Sequence, residues 1–245
     1  MMLRLCRVEL LKIRRSLVLL MTLACPIAVV LLVFVMNLRR ASPDTIGGEQ
    51  WDMLWASVSA MWSWFMLPLY VALSTSLING NEHRNQTWRL MLSLPIGRVE
   101  LYAAKTLIAI LLMLTAHLTF VACTALAIGG LGLLGYPLEG AFRMGTSPMI
   151  WTAPLAALPM LILQHAISWH VRSIVPPLAI AVVATFAAIQ VGSSEYWFWL
   201  PWTYPLVSTN AGSETARDTA LVLAPALALF LFPLTAWWLG RREIV

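Results

Sequence analysis

Four histidines (His83, His117, His165, His170) and three cysteines (Cys6, Cys25, Cys123) are the side chains of this 245-residue sequence best suited to holding a metal or acting as a nucleophile. Their spacing builds no such site. Metal ligands must converge from short, fixed separations, and no histidine pairs with a second histidine or a cysteine at one. His165 and His170 fall on different faces of a helix. The sequence contains no HExxH pair, no GxSxG nucleophile turn and no helix of paired glutamates facing histidines, so metalloprotease and serine hydrolase readings lack their machinery. A GxxxxGK[ST] phosphate loop is missing as well, so the chain does not hold a nucleotide in that way. Any energy source is then another chain or an ion gradient.

What remains is one block of charge, EHRNQTWRLMLSLPIGRVELYAAK, at residues 82–105. Asn79-Gly80-Asn81 should break or cap the apolar run before it, and Glu82 to Leu94 reads as a short helix. Pro95-Ile96-Gly97 then turns the chain, and Arg98 to Lys105 leads into the next apolar run, which Lys105 opens. Trp88, Leu92 and Leu94 stand among Arg84, Arg89 and Arg98, the mixture of tryptophan and arginine that dominates protein interfaces. The block reads as a docking element for something outside a membrane.

The elements that must carry it are membrane helices. The chain is 60% hydrophobic and 11% charged, with a mean hydropathy of +0.80, which is far from a soluble domain. Six continuously apolar segments, near 17–36, 53–79, 105–131, 149–169, 174–192 and 219–239, approach the ~20 residues that a helix needs to cross a bilayer. Barrel strands would alternate instead. The fold expected is an all-α integral membrane protein, one permease-like domain over 1–245 with six transmembrane helices.

Lysine and arginine set the orientation. With both termini cytoplasmic, only Arg39, Arg40, Arg143 and Arg217 of the 16 basic residues lie outside. The net charge of +5 reflects that bias and gives no sign of nucleic-acid binding. A disulfide framework is not expected from cysteines placed in helices. The basic N-terminus followed by a span-length apolar run should stay attached as the first span. Asp52 and Lys105 sit at span ends, so no mid-membrane charge marks an ion pathway.

Residues 3–16 form an amphipathic interfacial helix ahead of the first span. Leu3, Cys6, Leu10 and Ile13, continuing to Leu17, make an apolar stripe for the acyl boundary, and Arg4, Arg7 and Arg14 face anionic headgroups or brace a cytoplasmic partner. In the second span Trp51, Trp55 and Trp62 share one face, with Trp51 and Trp55 in the outer aromatic belt. Asp52, Ala56, Ala60 and Ser63 form a second face that suits close helix contact. Aromatic residues deeper in this span either pack or line a path for an amphipathic substrate; Trp55, Trp62 and Phe65 are the candidates. The external segment 192–210 is crowded with aromatics around Pro201 and Pro205, an anchor or a re-entrant gate, and it adds Trp199 and Trp202 to the path candidates.

Six spans, a basic amphipathic helix and the segment E-H-x-x-Q-T-W-x-x-x-L-S-L-P-x-x-R-x-x-x-x-x-x-K together resemble the permease subunits of ABC-2 type transporters. Within them the pattern is most similar to the branch of lantibiotic-immunity and bacitracin-export permeases, through Glu82, Thr87, Trp88, Leu92, Leu94, Pro95, Arg98 and Lys105. The resemblance implies that 82–98 is a coupling helix docking in an ATPase groove, with Glu82, His83, Arg84, Thr87, Trp88, Arg89, Pro95 and Arg98 as its contacts. It also implies that 3–16 is the connecting helix. Two ATPase chains holding ATP and magnesium would join two permease chains, identical or sister, in a bacterial cytoplasmic membrane, and this chain would hold no cofactor. A peptide antibiotic or lipid-like molecule would be exported between the permeases. A membrane scaffold and a lipid-modifying enzyme stay open as alternatives.

Overall fold

The computed structural model describes residues 2–14, 16–38, 48–84, 97–209 and 213–241. Among them every regular element is helical. α1 (Met2–Ile13) is followed by α2 (Leu17–Leu38), and α3 (Gly48–Ala60) runs through a π-helical turn (Met61–Met66) into α4 (Leu67–Arg84). α5 (Arg98–Leu133) comes next, then α6 (Thr152–Ala156), α7 (Leu158–His170) and α8 (Val175–Val191). The short α9 (Tyr204–Ser208) and the long α10 (Glu214–Arg241) complete the set.

Among the described residues, five helical stretches are long and apolar enough to cross a membrane: Leu17–Asn37, Gly48–Gly80, Arg98–Leu133, Pro148–His170 and Glu214–Leu239. The sixth expected span is α8, which is apolar but has 17 residues. At ~1.5 Å per residue it reaches ~25 Å, short of a ~30 Å hydrocarbon core. Its Pro176 and Pro177 lie in the first turn, where a missing N–H does little harm. Pro26, Pro225 and Pro233 lie inside α2 and α10, as helices in lipid tolerate.

One boundary differs from the sequence expectation. Asn79-Gly80-Asn81 does not break the helix, because α4 continues to Arg84. The Asn79 side chain is spent inside the bundle, where its Nδ2 donates to Ser168 Oγ at 2.8 Å and meets His165 Nδ1 at 3.2 Å. At the other flank α5 starts at Arg98, capped by the extended Gly97, so the lead-in from Arg98 is itself helical and Lys105 lies about two turns inside the helix.

The core is packed by α2, α3, α4, α5 and α7. Trp51, Trp55 and Trp62 are fully buried on the inner face of α3 and the π-turn. Trp51 Nε1 donates to the Pro137 carbonyl at 3.0 Å and Trp55 Nε1 to the Ala141 carbonyl at 2.8 Å. These two indoles therefore support the 134–147 segment from beneath and do not form a lipid-facing belt. Asp52 and Arg143 close the same junction with an ion pair. In the π-turn the consecutive residues Trp62 and Ser63 are both buried. Trp62 stacks on Phe120 at 5.4 Å and donates to His117 Nδ1 at 3.1 Å.

Candidate coupling site

Residues 82–105 are framed by two helix ends. Thr87, Trp88, Arg89 and Pro95 lie outside the described residues, as do the side chains of Glu82, His83 and Arg84, whose backbone forms the end of α4. Arg98 opens α5 on the other side. Lys105 joins these flanks.

Lys105 is fully buried. Its Nζ donates to the Ile78 carbonyl of α4 at 3.2 Å and lies 3.0 Å from Glu9 Oε2 of α1. The other Glu9 oxygen takes Lys12 Nζ at 2.6 Å. Glu9 itself is only 3% exposed. Burial alone would raise its carboxyl, but Lys105 and Lys12 outweigh that effect and hold it below the ordinary value of 4.5. A buried pair of this kind adds little net stability, yet removing one partner strands a charge at a cost of about 3–5 kcal/mol. The pair thus fixes where α1 sits more than it holds the fold up.

One turn earlier on α5, Tyr102 extends the junction. Its hydroxyl shares a hydrogen bond with Thr235 Oγ1 of α10 at 3.0 Å, and its ring stacks on His165 of α7 at 4.9 Å. His165 in turn meets Asn79 of α4. Tyr102 and Lys105 therefore bind α1, α4, α7 and α10 to the start of α5.

Of the connecting-helix candidates, Arg4 and Arg7 are exposed on α1 and Arg14 is exposed in the turn that follows it. The path candidates separate. Trp55 and Trp62 are packed inside the chain, 1% and 0% exposed, because their indole N–H groups need the partners just described; they present no surface to a second chain. Trp202 is also buried, at 7%, whereas Trp199 is 75% exposed and Phe65 is half-buried. Phe65 and its neighbour Trp64 line an apolar groove of about 390 Å³ with Val33, Met36 and Ala60. On the small-residue face Ala56 is exposed, Asp52 and Ala60 are half-buried and Ser63 is buried, so the chain covers that face only in part, and Ser57 beside it is exposed as well.

The sequence reading missed Glu9, Asn79 and His165 as members of one cluster. Each looked ordinary alone, and their partners lie far away in sequence. Glu9 gave a faint signal, being the only acid in an otherwise basic α1. Among the described residues no three His, Cys, Asp or Glu side chains converge as a metal site.

Helices long and apolar enough to cross a membrane, joined by a buried polar junction, mark a multi-pass helical membrane protein. The chain matches the model of the family described as ABC-2 family transporter protein over residues 5–188, more than half of its length, and it belongs to that family. No curated protein matches it. It is thus the membrane component of an ABC transporter, a transport subunit and not a catalytic one, in a family that works with an ABC ATPase.

Proposed function

We propose that this chain is the permease subunit of an exporter driven through residues 82–98 by a separate ATPase, which binds ATP and magnesium. The observation that carries the reading is the bridge from Lys105 to Glu9 and to the Ile78 carbonyl, which ties both flanks of 82–98 to α1. A partner that binds the two ATPase states differently shifts the docked segment, and the braced helices follow. Glu82, His83, Arg84, Thr87, Trp88, Arg89, Pro95 and Arg98 make the contacts in this reading, and α1 serves as the connecting helix. Two ATPase chains and a second permease, identical or sister, complete the assembly. The six apolar segments, including α8, span a bacterial cytoplasmic membrane with both termini inside.

The uncovered face at Ala56 and Ser57, beside the groove at Trp64 and Phe65, supports a second permease chain there and a path between the two. Its apolar, aromatic and uncharged lining suits an amphipathic cargo, a peptide antibiotic or lipid-like molecule, and export of a peptide antibiotic would give self-immunity. The segment 192–210 closes the outer end as a re-entrant element. Copurification from native membranes tests the reading: an ABC ATPase retained by the tagged chain supports it, and a chain recovered with a different cytosolic protein and no ATPase refutes it.

A further inference from the structure

Two cavities adjoin along one row of side chains on α3 and the π-helical turn. Ser57, Ala60 and Trp64 line both, at the three- and four-residue spacing that shares a helix face. The first cavity, about 390 Å³, reaches Val33, Met36 and Asn37 at the end of α2. The second, about 360 Å³, reaches Met144, Met149, Ile150 and Thr209. Together they make an elongated groove of the size that takes a small molecule. Among the described residues that line it, none is charged.

The polar side chains of the lining divide into two sets. Asn37 donates to the Val33 carbonyl at 2.8 Å, Ser57 to the Met53 carbonyl at 2.8 Å and Thr209 to the Pro205 carbonyl at 2.9 Å, so these three are satisfied by the backbone one turn before them. Ser59 and Trp64 are not. Ser59 is only 7% exposed, and neither its hydroxyl nor the Trp64 indole N–H has a hydrogen-bond partner. A buried donor left unmatched costs free energy, and an indole N–H can only donate. Both polar atoms are shut off from water, so their acceptor must arrive on an apolar molecule that fills the groove. A carbonyl oxygen is an uncharged acceptor that suits two donors, since it offers two lone pairs. The level of the groove selects which carbonyl. Asn37 ends the span Leu17–Asn37, and Met149 and Ile150 lie in the first turn of the span Pro148–His170. The groove therefore sits where spans leave the hydrocarbon core for the interface, the level at which ester carbonyls join acyl chains to glycerol.

We propose that the groove holds an acyl chain of an ester-linked lipid, whose ester carbonyl accepts hydrogen bonds from Trp64 Nε1 and Ser59 Oγ. This rests on the membrane reading and names the group that the groove recognises; it does not depend on residues 82–98 or on an ATPase, so its failure leaves the copurification result untouched. The test compares two lipids with the same headgroup: phosphatidylglycerol with ester-linked palmitoyl chains and its analogue with ether-linked hexadecyl chains, which lacks the carbonyls. Retention of each by the delipidated full chain in detergent is read by native mass spectrometry at equal lipid concentration. One net hydrogen bond corresponds to about fivefold in affinity, so the native chain should prefer the ester lipid by about fivefold or more. Trp64→Phe keeps a ring against Leu206 and Val207 but removes the donor, and together with Ser59→Ala it should bring the preference toward unity, with a thermal melt confirming the fold. Ala60→Trp, which fills the groove, should reduce retention of the ester lipid severalfold. Equal retention of the two lipids by the native chain overturns the proposal, as does a preference unchanged in the S59A/W64F chain. An Ala60→Trp chain that changes its oligomeric state and retains the lipid as before overturns it in favour of a second copy of the chain in the groove.

Discussion

Glu9 and Lys105, one on the amphipathic N-terminal helix and the other two turns into α5, meet at 3.0 Å in a buried ion pair. The same ammonium group also holds the Ile78 carbonyl. One lysine thereby joins the two helices that flank residues 85–96 to the helix that precedes the first span.

The pair should behave asymmetrically under substitution. Glu9→Gln leaves Lys105 buried beside a neutral amide and should cost about 3 kcal/mol of stability. Replacing both partners by apolar residues, Glu9→Leu with Lys105→Met, should recover most of that loss. Thermal unfolding of the purified chain in detergent checks it, and additive losses would show that the two groups do not interact.

Acid should release α1 late. The Glu9 carboxyl is held below its ordinary value of 4.5 in the folded chain, so its contribution is complete above that value and disappears as the pH falls through the depressed one. Protease protection of residues 2–14 should therefore hold at neutral and mildly acid pH and fail only below the ordinary carboxylate range. Glu9→Gln should abolish that pH dependence.

Gly145 is required by the ring of Trp55. A Cβ there would stand 2.5 Å from Trp55 Cζ2, and that indole is fixed by its bond to the Ala141 carbonyl. Gly145→Ala should cost about 1–3 kcal/mol by overpacking, visible as a lowered melting temperature, with little change for Gly129→Ala, where nothing lies within 4 Å.

Trp62 and Phe65 should separate stability from transport. Trp62→Ala removes a buried stack and a hydrogen bond to His117 and should cost about 3–5 kcal/mol. Phe65→Ala at the groove should cost much less and instead change transport of an amphipathic cargo, measured in vesicles.

The helices themselves were legible because continuous apolar runs of span length admit few other structures in a membrane. The polar junction was not. Asn79 next to Gly80 reads as a helix terminator by local propensity, and only its tertiary partners His165 and Ser168 explain why α4 runs on. Trp51 and Trp55 fit an interfacial belt in sequence, since periodicity places them on one face without saying what that face meets. Glu9 and Lys105 are likewise a long-range pair, and nothing local announces the match.

Permease-stimulated ATP hydrolysis by the copurified complex tests the central claim most directly. Trp88→Ala and Glu82→Arg should each leave the chain inserted in the membrane and sharply reduce stimulation, with Glu9→Gln doing so more weakly by loosening the brace. Normal stimulation with both Trp88→Ala and Glu82→Arg in place would contradict a coupling role for residues 82–98.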